Sequence, residues 1–75
     1  MTQSKTERAS YVFAVKEFGD GKPWIMLERS GKGLEVVGNG FVGLELREGI
    51  TLEEAERLAE MLRESVSAVS YTSFL

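Results

Sequence analysis

The hydrophobic residues of this chain change their spacing at Thr51, and this change constrains the fold more than any other feature. Before Thr51, apolar residues occur in short segments rich in β-branched and aromatic types, separated by glycine-containing turns, as is typical of antiparallel strands. After it they recur every three or four residues, which is the spacing of an amphipathic helix. The helical positions are Leu52, Ala55, Leu58, Ala59, Leu62 and Val66. Strands followed by one helix predict the α+β class.

The strands are predicted to form an antiparallel four-stranded meander with the helix packed on one face. Asp20-Gly21 and Asn39-Gly40 separate two of the strand pairs, and both dipeptides favour the positive φ angles of primed hairpin turns. After the helix, a segment rich in Val, Tyr, Thr and Ser favours a short closing strand. The predicted strands are residues 9–18, 24–29, 34–37 and 41–47, and the closing strand is residues 68–74.

The domain organisation follows from the length of the chain and from the residue types that the sequence lacks. Residues 1–8 are polar and have no hydrophobic period, so we expect a flexible N-terminal tail. Residues 9–75 are expected to form a single α+β domain. The chain has no Cys and no His, so disulfides and the usual thiolate and imidazole metal ligands cannot supplement its core. Good packing or a second subunit must do so.

The start of the helix is strongly marked. The Thr51 side chain can accept a hydrogen bond from the backbone of Glu54 while the Glu54 carboxylate reaches back, which is a capping box. Glu53 lies four residues before Arg57, the favourable order for an ion pair on a helix surface. We expect the helix to end near residues 65–67.

The segment Gly49-Ile50-Thr51-Leu52-Glu53-Glu54-Ala55 resembles the start of the helix in HicB-like antitoxins, which follows antiparallel strands in that family. The resemblance covers about 20 residues and consists mostly of capping chemistry. It implies a protein partner, a small RNase toxin. The chain differs from the family in the additional turn at Asn39-Gly40 and in lacking a Pro-Gly-Cys segment. In size it also resembles short bacterial proteins, and this likeness does not indicate what the protein does.

The residue types present favour binding over catalysis. Nucleophilic and acid-base mechanisms rely heavily on Cys and His, which are absent, so we predict no enzyme, no cofactor and no metal. A small enzyme that uses carboxylates is the alternative, because carboxylates can act as acids and bases or bind a hard cation. The position of each candidate carboxylate on a strand, in a loop or at the helix cap also explains its presence without any catalytic role. The candidates are Glu45, Glu48, Glu53 and Glu54.

The charge pattern narrows the class of partner. Nine Lys and Arg against twelve Asp and Glu give a net charge of −3, and the cations are scattered, whereas nucleic-acid binding needs a concentrated positive surface. No segment approaches the ~20 consecutive apolar residues of a membrane span. We therefore expect a cytoplasmic protein that binds neither nucleic acid nor membrane.

Strand alternation divides the large apolar residues between the two faces of the predicted sheet. A type I′ turn at Asn39-Gly40 determines which residues of the two strands it joins share a face, and the apolar face of the strand after the turn matches the apolar stripe of the helix. Counting back through the loop of residues 30–33 assigns the residues of strand 24–29 to the same two faces. A one-residue bulge in that loop would exchange the two assignments for that strand. The helix face is predicted to carry Trp24, Met26, Val37, Val42, Leu44 and Leu46.

The opposite face is predicted to be an apolar binding surface that the helix leaves uncovered. An antiparallel sheet with one wet face normally carries polar residues there, and too few are present. The C-terminal segment, a second copy or another protein could cover it. We therefore expect a small binding or assembly module, first of all a homodimer through this face or through a free edge strand. The predicted binding residues are Ile25, Leu27, Leu34, Val36 and Phe41.

Overall fold

The structure, a computed structural model, describes residues 3–74. Four antiparallel strands precede one helix that packs against the sheet, and a last strand pairs with the first. The predicted α+β class and closing strand are therefore confirmed. The elements are β1 (Ser4–Ala9), β2 (Tyr11–Glu17), β3 (Pro23–Arg29), β4 (Val42–Glu45), α1 (Leu52–Ser65) and β5 (Val69–Phe74).

The central sheet has three antiparallel strands in the order β2-β3-β4. In the middle of the sheet, Ile25 of β3 opposes Val15 of β2 and Leu44 of β4. Within residues 3–74, β2 and β4 each have an outer edge that pairs with no further strand of the chain. Unpaired edges of this kind can accept a strand from a partner.

The N-terminal segment forms a strand, where the sequence predicts a flexible tail over residues 1–8. Ser4–Ala9 pairs along its whole length with β5, and the hydroxyl oxygens of Thr6 and Thr72 lie 2.8 Å apart across this ribbon. Residues 1 and 2 lie outside the described residues. The sequence signal is weak because β1 is polar and its paired residues, from Ala9–Val69 to Ser4–Phe74, are 60 to 70 positions apart along the chain.

The β1–β5 ribbon makes the molecule long. The Cα radius of gyration is 14.4 Å and the principal extents are 46 × 24 × 24 Å, whereas a compact domain of this length has a radius of gyration of about 11 Å. The ribbon packs mainly on itself, although Val69 reaches the hydrophobic core. Isolated two-stranded ribbons are marginally stable in water, so this ribbon also offers edges that a partner could cover.

The prediction of a third strand at residues 34–37 is wrong. The segment winds through consecutive tight turns, held by backbone hydrogen bonds that each span three residues. The N–H groups of Val37, Gly38 and Gly40 donate to the carbonyls of Leu34, Glu35 and Val37 at 3.1, 3.1 and 3.0 Å.

The side chain of Leu34 explains why this segment folds inward. This side chain is buried, and the backbone N–H of Leu34 donates to the Tyr11 hydroxyl at 3.0 Å. The segment is therefore anchored to β2 and does not extend along β3. The predicted type I′ turn is also wrong. Asn39 does not adopt a positive φ, whereas Gly38 has φ of +59°, and a type I′ turn needs positive φ at both central residues.

The turn between β2 and β3 lies where Asp20-Gly21 predicts it, but its type differs. Gly21 has φ of +84° while Asp20 has a negative φ. The N–H of Gly21 donates to the Phe18 carbonyl at 2.8 Å, and the N–H of Phe18 donates to the Lys22 carbonyl at 2.9 Å. This pattern matches a three-residue hairpin loop with a glycine bulge and excludes the two-residue primed turn.

The core lies between α1 and one face of the central sheet. Phe13, Ile25, Leu27 and Ala59 form a buried cluster, and Ala55 is fully buried beside it. Small alanine side chains let the helix approach β2 and β3 closely. The assignment of Ile25 and Leu27 to the uncovered face is therefore wrong. The cause is the connection of residues 30–41, which contains no strand and so carries no alternation from β4 back to β3.

The start and end of α1 follow the sequence prediction. The Glu54 N–H donates to Thr51 Oγ1 at 3.1 Å, and the Thr51 N–H donates to Glu54 Oε1 at 3.2 Å, so the capping box is confirmed. Arg57 Nη1 lies 3.1 Å from Glu53 Oε1, and the helix ends at Ser65. Within residues 3–74, no helix has the length and apolar character needed to cross a membrane.

The capping box makes stability depend on pH. Hydrogen bonds from the Thr51 backbone and then from its side chain hold the pKa of Glu54 below its ordinary value of 4.5. Because the folded-state pKa is the lower one, the cap stabilises fully above the unfolded-state pKa, and this stability is lost as the pH falls through the folded-state value. Urea unfolding at neutral and acidic pH should show a smaller acid-induced loss in Glu54→Gln than in the unmodified protein.

The matched control for this prediction is Glu56→Gln, which removes an exposed carboxylate from the same helix. This variant should lose as much stability on acidification as the unmodified protein does. Equal behaviour of the two variants would contradict the coupling between the cap and pH.

A candidate binding site on the open sheet face

The face of the central sheet opposite α1 is covered by no element of residues 3–74, and we call it the open face. Its residues alternate along the strands with the core residues, so Trp24 and Met26 lie here and their predicted place on the helix face is wrong. The predicted place of Val42 and Leu44 on the helix face agrees with the pairing register, and Leu46 packs on the core. The open face carries Val12, Ala14, Lys16, Trp24, Met26, Glu28, Gly43 and Glu45.

Three aromatic rings form a row across one end of the open face. The Phe18 and Trp24 centroids are 5.6 Å apart with planes 17° from parallel, and the Trp24 and Phe41 centroids are 5.7 Å apart at 34°. Phe18 follows β2 and Phe41 precedes β4, so the ends of the two outer strands bring both rings to Trp24 on the central strand. We call these three residues the aromatic row.

Gly43 allows the Trp24 indole to lie on the backbone of β4. A Cβ atom at this position would come within 2.9 and 3.0 Å of two indole carbons, which is closer than such contacts normally are. Any side chain at Gly43 would therefore displace the central ring of the aromatic row. A glycine in a strand commonly marks such a close approach.

The aromatic row borders an open depression of about 350 Å³, whose other lining residues are Gly43 and Glu45. Glu45 opposes Trp24 in the strand pairing and is the one ionisable residue of the lining. Among residues 3–74 its carboxylate makes no ion pair. The depression therefore combines aromatic surface with a single negative charge.

An ion pair covers the neighbouring part of the open face. Lys16 Nζ lies 3.0 Å from Glu28 Oε1, and in the register these residues flank the Ala14–Met26 pair on either side. Their apolar stems therefore extend across that pair, as long charged side chains commonly do over apolar surface. Lys16 also opposes Trp24, but its ammonium group is directed to Glu28, so it leaves the aromatic row uncovered.

The structure separates the residues that the sequence predicts as a binding surface. Ile25, Leu27 and Leu34 are buried and present no surface to a partner. Val36 is exposed but lies in the turns of residues 34–40. Phe41 is 61% exposed and belongs to the aromatic row, so one predicted residue lies at the candidate site.

Sequence reasoning missed Phe18 and Trp24 as parts of this site. A usable signal was present, because the two aromatic residues flank the Gly21 turn and a hairpin brings such flanking residues together. Counting back through residues 30–41 predicts Trp24 on the face opposite to Phe41, whereas in the structure the two rings lie side by side.

Three of the four candidate carboxylates are held in separate local interactions. Glu48 Oε1 lies 2.8 Å from Lys22 Nζ, while Glu53 pairs with Arg57 and Glu54 bonds to Thr51. Only Glu45 borders the depression beside the aromatic row. Within the described part of the chain, no group of three or more His, Cys, Asp or Glu residues could hold a metal ion.

Comparisons with protein-family models, with curated proteins and with solved structures found no match. The antitoxin partner implied by residues 49–55 therefore stays a prediction. Those residues also have a purely local explanation, because Thr51 and Glu54 form the capping box that begins α1.

Proposed function

We propose that this chain is a cytoplasmic, non-enzymatic binding module whose binding surface is the aromatic row. The observation that carries the proposal is the position of three adjacent aromatic rings on the face that α1 does not cover. Aromatic side chains provide a large contact area with few rotatable bonds. They are also enriched among the residues that dominate binding energies at protein interfaces.

The lining of the depression favours a protein partner. It offers aromatic surface, the backbone of Gly43 and one carboxylate, and none of these lining residues pairs a nucleophile with a base. Proteins that stack nucleic-acid bases on aromatic rings combine the rings with a positively charged groove. Here the ionisable lining residue is negative and the chain carries a net charge of −3, which disfavours a nucleic-acid partner.

The first candidate partner is a second copy of the chain. The core is small, since Ile25 is the one large side chain among residues 3–74 that is fully buried, and small cores commonly gain stability from oligomerisation. A homodimer could bury the aromatic row and could also use the free edges of β2 and β4. A different protein that carries a complementary apolar surface is the second candidate.

Phe41→Ala tests the proposal in sedimentation equilibrium over about a hundredfold range of concentration. The unmodified protein should form dimers, and the variant should raise the dimer dissociation constant at least about tenfold, as expected for an aromatic anchor. Its urea unfolding midpoint, measured at a concentration where both proteins are monomeric, should change little because the ring is largely exposed.

Phe74→Ala is the matched control, because Phe74 is an exposed ring, 73% accessible, outside the aromatic row. It should leave the dissociation constant unchanged. Equal weakening by both variants would defeat the assignment of the interface to the aromatic row. A protein that stays monomeric at every concentration would exclude the homodimer, and the partner would then have to be a different protein.

A further inference from the structure

We infer that the aromatic row and Glu45 together bind a guanidinium group, presented as an arginine side chain by the partner. This inference rests on the proposed function and specifies the chemistry of the partner at the same surface. Two observations support it, the row of adjacent aromatic rings and the carboxylate that lines the same depression.

The electrostatics of the depression favour a cation. The faces of Trp and Phe rings carry negative potential and attract cations placed over them. Glu45 adds a full negative charge to the lining, and Lys16, the neighbouring cation on this face, is paired with Glu28 at 3.0 Å. A cationic group in the depression would therefore meet attraction from both the rings and the carboxylate, with no cation in the lining to oppose it.

The geometry favours a planar cation over a spherical one. The ring planes deviate from parallel by 17° and 34°, so Phe18 and Trp24 are stacked, Phe41 is tilted against Trp24, and the rings do not stand at right angles as the walls of a box would. A guanidinium group is flat, stacks on aromatic faces and forms paired hydrogen bonds to a carboxylate. An ammonium group is compact and strongly hydrated, and it would gain less from a flat stack.

The Trp24 side chain provides a direct readout, because it is the one tryptophan of the chain. The fluorescence of the intact protein is titrated with N-acetyl-arginine amide, with its uncharged counterpart N-acetyl-citrulline amide, and with N-acetyl-lysine amide. The arginine derivative should bind at least about threefold more tightly than either of the others, as expected for an exposed cation–aromatic contact. Equal binding of the arginine and citrulline derivatives would overturn the inference.

Glu45→Gln and Glu56→Gln separate local recognition from the overall charge, because both remove one exposed carboxylate. Glu45→Gln should weaken binding of the arginine derivative about threefold, as expected for an exposed ion pair, whereas Glu56→Gln, on α1, should leave it unchanged. Equal weakening by the two variants, or equal affinity for the arginine and lysine derivatives, would also overturn the inference. Circular dichroism of each variant verifies that it is folded.

Failure of guanidinium binding and failure of the proposed interface give different results in these experiments. If Phe41→Ala weakens association while Glu45→Gln has no effect on the arginine derivative, the aromatic row is an interface without guanidinium recognition. If Phe41→Ala has no effect on association and the arginine derivative still binds through Glu45, the row is a cation site that does not mediate self-association.

Discussion

Replacing Ile25 with Ala is expected to lower the free energy of unfolding by about 2 to 5 kcal/mol. Ile25 is 0% exposed at the centre of the three-stranded sheet, where it packs in the buried cluster with Phe13 and Ala59. Truncation removes buried methyl groups and leaves a cavity that the surrounding strands can only partly fill. Urea unfolding followed by circular dichroism measures the loss.

Met26→Ala is the matched comparison, since Met26 is the next residue along β3 and lies on the open face, where it is partly exposed. Its substitution should cost clearly less than that of Ile25. The opposite order would mean that the helix covers the face that carries Trp24 and Met26, as the sequence-based assignment had it. This pair of variants therefore determines which face of β3 is the core.

The error in assigning the faces has a specific physical cause. Alternation along a strand is reliable within that strand, which is why the places of Phe41, Val42 and Leu44 relative to one another follow from the sequence alone. The face that a residue occupies can be deduced from the neighbouring strand only when the turn between the two strands has a known geometry. Residues 30–41 contain no strand, so the face that carries Trp24 cannot be deduced from the face that carries Phe41.

The helix was predictable because its determinants are local. The capping box joins Thr51 and Glu54, three residues apart, and the apolar spacing extends through the segment itself. The β1–β5 ribbon is the opposite case. Thr6 and Thr72 are separated by 66 positions, and neither strand has a strong apolar alternation, so the pairing depends on the whole fold and leaves no short-range pattern.

The candidate site was partly predictable for the same reason. The sequence predicts that Phe41 points away from the helix, and in the structure it lies beside Trp24 on the open face. The other members of the row depend on tertiary structure, because Phe18 reaches Trp24 across a hairpin and Gly43 permits the stack only when β4 lies next to β3. The unpaired position of Glu45 is likewise a property of the folded surface.

Tyr11→Phe is expected to lower the free energy of unfolding by about 1 to 3 kcal/mol, which is the typical cost of leaving a buried hydrogen-bonding group without a partner. The Tyr11 hydroxyl accepts the Leu34 N–H at 3.0 Å in a partly buried environment. Removing one oxygen atom leaves the ring in place and deprives that N–H of its acceptor. Urea unfolding measures the loss, and amide exchange should be accelerated locally in residues 34–40.

Tyr71→Phe removes the same oxygen from an exposed ring whose hydroxyl makes no hydrogen bond within residues 3–74, so it should change stability by less than about 0.5 kcal/mol. The comparison tests how the connection between β3 and β4 is held. If residues 34–37 formed a strand paired with β3, their N–H groups would bond to backbone carbonyls, and loss of the Tyr11 hydroxyl would have as little effect as loss of the Tyr71 hydroxyl. A clear difference between the two variants requires the turn segment to be anchored on Tyr11. That anchor holds residues 34–40, the segment that leads directly into Phe41 and the aromatic row.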